Sequence, residues 1–104
     1  FDYQQMKQVF INIIRNAVEA SQKGGEIIIE YFHNSNGNIF TISDNGSGIS
    51  RENLKKIFDI YFTTKNSGTG MGLSIVRQII LQHNGTIEVE SVINKGSKFI
   101  ITLP

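Results

Sequence analysis

Apolar positions recur along the chain with two periods. Met6, Val9, Phe10, Ile13, Ala17 and Ala20 follow one another at helical spacing, the mark of one buried helix face. Asp2 is placed to cap this helix, Gln5 stands three residues later, and Phe1 is placed to staple onto Met6. The pattern predicts a helix to about Gln22, ended by Gly24-Gly25. Leu73, Val76, Ile80 and His83 predict a second long helix, closed by Asn84-Gly85. Arg51 to Phe58 reads as a short helix and Asp59 to Gly70 as a loop.

The other period is two. Glu26 to Phe32 and Asn38 to Asp44 read as strands joined by Asn36-Gly37, a two-residue hairpin signal. In the returning strand Phe40, Ile42 and Asp44 share a face, because side chains alternate. Ile87 and Val89 alternate with Glu88 and Glu90 within Thr86 to Val92, and Phe99, Ile101 and Leu103 with Lys98 and Thr102 within Lys98 to Leu103. Helices on one face of a mainly antiparallel sheet make a two-layer α/β sandwich of the α+β kind, one domain over residues 1–104.

Composition narrows the chemistry. The chain has no cysteine, which excludes disulfides and thiolate metal sites and fits a reducing compartment. Ten Lys and Arg against nine Asp and Glu leave a formal charge of +1, so no general attraction to nucleic acid or membrane is expected. No apolar run approaches the ~20 residues that span a bilayer. Phe1 in place of Met points to a fragment, so any anchor is expected outside this sequence. Gly46 and Gly48 form one cluster and Gly68, Gly70 and Gly72 another, which reads as backbone requirement, not linker.

Three features carry candidate chemistry. Asn12, Asn16 and Glu19 line one helical stripe. Their oxygens are hard ligands suited to Mg²⁺, although such stripes are more often solvated surface. Asp44 ends a strand on its buried face, where a carboxylate needs a partner. An adenine amino group would serve, and so would the local amides of the Asn45-Gly46-Ser47-Gly48 turn. Gly68-Thr69-Gly70-Met71-Gly72-Leu73 opens the second long helix, where free N–H groups and the helix dipole suit a phosphate. The spacing is not the dinucleotide fingerprint, and Lys95-Gly96-Ser97 has the wrong order for a phosphate loop. Lys65 could reach phosphate oxygens as a mobile charge. No spacing suggests zinc, the serines lack a triad context, and His33 and His83 are weak candidates, His83 standing near a helix end.

The order of these elements resembles the histidine-kinase branch of the superfamily that includes gyrase-type ATPases, Hsp90 and MutL-type repair proteins, whose ATP-binding domain is the Bergerat fold. Asn12-Ile13-Ile14-Arg15-Asn16-Ala17 resembles its asparagine box and Asp44 to Ile49 its first glycine box. Phe58 to Lys65 resembles the phenylalanine box and lid lysine, Gly68 to Val76 the second glycine box, and Asn94 to Phe99, Ile101 and Leu103-Pro104 the closing strand. The resemblance covers nearly the whole chain and runs to the nitrogen-regulation and sporulation kinases. It implies a five-stranded mixed sheet backed by three helices.

It also implies residue roles. Asn16 would be the principal Mg²⁺ ligand with Asn12 assisting, and Asp44 would accept from the adenine amino group. Gly46, Gly48 and Ile49 would shape the base pocket, with Ser97 as a nearby hydroxyl. Gly70, Met71, Gly72 and Leu73 would meet the phosphates, and Lys65 would swing in from the lid. Departures are Ile60-Tyr61 where many members have Pro-Phe, Asn94 for a usual glycine, and Glu19 where many histidine kinases have lysine; Arg15 and Lys65 are possible substitutes there.

Asn12 separates the chemistries of the superfamily. Its ATPase branches resemble one another in a glutamate four residues before the metal asparagine. Asn12, a neutral amide, cannot be a general base. The resemblance therefore implies a site that holds Mg-ATP for a histidine on a separate dimerisation domain, with a response regulator as the next partner and no role for nucleic acid. It implies a monomeric fragment, a homodimeric full-length protein and a cytoplasmic reaction. The alternatives are a non-catalytic ATP-binding or protein-interaction module, a gyrase- or Hsp90-type ATPase, and a related serine kinase acting on a regulatory protein.

Overall fold

The computed structural model describes residues 2–21, 24–59 and 72–104. The first helix, α1, spans Tyr3–Ala20, and the Asp2 carboxylate accepts from the Gln5 N–H at 3.0 Å. Its staple partner Phe1 and the expected last residue Gln22 lie outside the described residues. The helix ends at Ala20 because its final carbonyls find other donors. The Ser21 N–H and hydroxyl both donate to the Ala17 carbonyl, and the Ser47 N–H donates to that of Ala20. These contacts satisfy carbonyls a helix terminus leaves open.

Strands β1 (Ile27–Asn34) and β2 (Gly37–Asp44) form the expected hairpin, displaced by one residue. Asn34 pairs with Gly37, so Ser35 and Asn36 make the turn. Gly37 has φ +118, and a Cβ there would run into the Leu103 carbonyl. The glycine serves a close approach between strands, while Asn34 Oδ1 accepts from the Asn36 N–H at 2.8 Å to shape the turn. Ser50 caps α2 (Arg51–Leu54), its hydroxyl accepting from the Asn53 N–H. The helix stops short of the expected Phe58: N–H groups of Lys56 and Asp59 bond carbonyls three residues back, a tighter winding than the α-helix, and Ile57 turns into the core.

The helix α3 (Gly72–Gln82) leads to β3 (Thr86–Val92) and β4 (Gly96–Leu103). Asn84 takes φ 61 in the link, as Asn tolerates. The described residues hold one sheet of four strands, all antiparallel, in the order β1-β2-β4-β3. This matches the four strands read from alternation and corrects the five-stranded mixed sheet implied by the resemblance: among the described residues there is no fifth strand and no parallel pair. Helices α1 and α3 cover one face. Val9, Ile13, Val76 and Ile80 meet Ile42, Phe99, Ile101 and Leu103 in the core, the main source of stability. Among the described residues no helix is long and apolar enough to cross a membrane.

Candidate functional site

Register builds one end of the site. Asp44 pairs with Ser97, and Ser97 with Ser91, so the three side chains share a row on the helix-covered face. Asp44 is 9% exposed and Ser97 6%. Asp44 Oδ1 accepts from the Gly46 N–H at 2.9 Å, so the local turn bond and a role toward a ligand are compatible: Oδ2 has no bond within the described residues. A carboxylate offers only acceptors, so this position favours a ligand donor.

The glycine turn after Asp44 is clasped from two sides. A Cβ on Gly46 would meet the Ala20 carbonyl, and one on Gly48, at φ +75, would meet that of Val92. The Asn94 N–H donates to the Ser47 carbonyl at 2.8 Å, and the Ile49 N–H to Ser91 Oγ at 2.7 Å. Asn94 has φ 65, which explains how asparagine substitutes for the usual glycine. Gly96, at φ +121, lets β4 approach the Asp44 carbonyl where a Cβ would collide.

The other end lies where α1 passes the start of α3. Asn12 Nδ2 donates to the Gln8 carbonyl at 2.9 Å, and a Cβ on Gly72 would stand 3.1 Å from Asn12 Oδ1. The amide oxygen thus borders the helix start. Asn16 is half-buried one turn along and Glu19 is exposed. Leu73 packs against the core. From Asn12 to Ala20, α1 rises about 12 Å, and this stretch connects the two ends. Lys65, Gly70 and Met71 lie outside the described residues.

The family described as histidine kinase-, DNA gyrase B- and HSP90-like ATPase matches residues 1–104. The chain belongs to that family. Sporulation kinase C of Bacillus subtilis is 42% identical over 99% of the chain, and the sensor histidine kinase ZraS of Escherichia coli O157:H7 is 40% identical over 99%. The chain spans 24% and 22% of those two proteins, respectively. Among solved structures, a nucleotide-free catalytic domain of histidine kinase ThkA superposes with TM-score 0.88 at 40% identity, covering 99% of this chain and 68% of that one. The mycobacterial sensor histidine kinase MprB gives 0.91 at 26% identity, covering 100% and 74%. The chain is thus a histidine kinase-type ATPase domain, and the family implies ATP as its nucleotide.

Sequence reasoning singled out Asp44, Gly46, Gly48, Ile49 and Ser97, and the fold brings them together. It missed Ser91. The signal was present, since Ile87, Val89 and Ser91 alternate onto one face. Its meaning needed the register.

Proposed function

We propose that this chain binds Mg-ATP and passes the γ-phosphate to a histidine on a separate helical dimerisation domain, from which a response regulator would take it. The observation that carries the reading is Asn12 of α1, whose side chain borders the start of α3. A neutral amide stands where the ATPase branches resemble one another in having a water-activating glutamate, and its Nδ2 is engaged with the Gln8 carbonyl. An amide cannot remove a proton from water, so an external nucleophile is needed.

Asp44 would accept from the adenine amino group, in the pocket shaped by Gly46, Gly48, Ile49 and Ser97. Gly72 and Leu73, with Gly70 and Met71, would offer backbone N–H groups to the phosphates, the role a helix start favours. Lys65 would add a charge from the lid. The donor set fits Mg²⁺: Asn12 Oδ1 is a hard oxygen bordering the α3 start, and Asn16 follows on the same face. Held by Asn16 and Asn12, the ion would neutralise phosphate charge. The histidine nitrogen would form a bond to the γ-phosphorus as the bridging oxygen leaves with ADP, and the protein would contribute mainly alignment. We place the reaction in the cytoplasm, in a protein that is dimeric when complete.

Incubation with radiolabelled Mg-ATP and the helical acceptor domain tests this. The expected result is an acid-labile, alkali-stable phosphoprotein, with little phosphate released when the acceptor is left out. Tight ATP binding without histidine labelling would overturn the transfer, and sustained phosphate release by the chain alone would restore the ATPase alternative.

A further inference from the structure

Ser91 ends the row Ile27, Asp44, Ser97, Ser91 that crosses all four strands. Its hydroxyl meets three groups. The Ile49 N–H donates to Ser91 Oγ at 2.7 Å, Ser91 donates to the Gly96 carbonyl at 2.9 Å, and Ser97 Oγ lies 2.8 Å away. A hydroxyl has one proton and two lone pairs. The Gly96 carbonyl can only accept, so it takes the proton. The Ile49 amide takes one lone pair. The remaining lone pair is open to Ser97 only as a donor.

Ser97 therefore spends its proton on Ser91 and keeps lone pairs alone for anything else. Its neighbour on the other side is Asp44, whose carboxylate also only accepts. We infer that Ser91 is a positioning residue for base selection: by holding the Ser97 proton, it makes the Asp44–Ser97 pair acceptor-only. With the six-position of the base turned toward it, such a pair selects the amino donor of adenine over the carbonyl that guanine carries there. The same hydroxyl pins the exit of the glycine turn through Ile49. Removing it frees the Ser97 proton to face a carbonyl base edge. The inference rests on the nucleotide reading of Asp44 above.

The test is calorimetric titration of the chain with Mg-ATP and Mg-GTP, in the wild type and in Ser91→Ala, Ser91→Thr, Ser97→Ala and Asp44→Asn. Ser91→Ala should weaken ATP binding about tenfold and GTP binding less than about threefold, the scale of one hydrogen bond. Ser91→Thr should restore the wild-type preference. Adding Ser91→Ala to Ser97→Ala should narrow the preference no further, because the two act through one proton. Should Ser91→Ala not fold, Ser91→Cys carries the same test, since a thiol is a weak acceptor. Equal loss for both nucleotides, or no change for either, would make Ser91 merely structural and overturn the inference. A wild type that binds neither nucleotide, or an Asp44→Asn variant with unaltered ATP affinity, would instead bring down the nucleotide reading, and this inference with it.

Discussion

Asp44 and Ser97 stand directly opposite each other on β2 and β4, both buried, at the point where the glycine turn leaves the sheet. Among the described residues only one oxygen of Asp44 is used locally, by the Gly46 N–H. Asn at this position can still accept that bond through its side-chain oxygen. Asp44→Asn should therefore keep the fold and weaken ATP binding by about 1.5–3 kcal/mol, the worth of a hydrogen bond to a charged group. Paired melting curves and titrations would show an unshifted Tm with reduced affinity. Unreduced affinity would remove Asp44 from the base pocket.

Asn16→Asp tests the phosphate end. If Asn16 holds the ion as proposed, adding a carboxylate there should alter metal and nucleotide binding together, since the ion and the phosphates would share one charge balance. We expect ATP affinity to fall about tenfold or more and its dependence on Mg²⁺ concentration to change. A change confined to the melting temperature would mark Asn16 as structural.

Two glycines should respond differently to alanine. At Gly46 a Cβ would press on the Ala20 carbonyl, which already accepts from the Ser47 N–H. Backbone must move, so Gly46→Ala should cost about 2–4 kcal/mol. Gly24 has φ +82 and nothing within 4 Å of its would-be Cβ, so Gly24→Ala should cost only about 1–2 kcal/mol of conformational strain. Urea unfolding would rank them, and a larger effect at Gly24 would contradict this account of the turn.

Thr41 is 3% exposed, and its Oγ1 has no partner within the described residues. A buried hydroxyl without a bond is unfavourable. Thr41→Val, of similar shape, should leave stability unchanged or raise it by up to about 1 kcal/mol. A loss of more than about 1 kcal/mol on urea unfolding would show that the hydroxyl has a bonding role.

The legible parts of the chain were those where local pattern and tertiary demand agree. The alternation Phe40, Ile42, Asp44 placed the carboxylate inward, and register confirmed it. The Asn36-Gly37 signal placed the hairpin one residue late, because Gly37 answers to Leu103 across the sheet and not to the turn. The short α2 was overestimated because its apolar positions continue through Ile57 and Phe58 after α-helical bonding has given way to tighter turns.

The sequence by itself determined which residues face the core, four strands, two long helices, and the family to which their motifs point. Periodicity records which face of an element is apolar, and that is a property of each element on its own. Only the tertiary structure decided that Gly72 borders Asn12, that Gly46 sits on Ala20, and that the Ser91 and Ser97 hydroxyls meet within hydrogen-bond distance. Those relationships depend on packing and register between separate elements, and a lone pair is claimed only when its donor arrives in three dimensions.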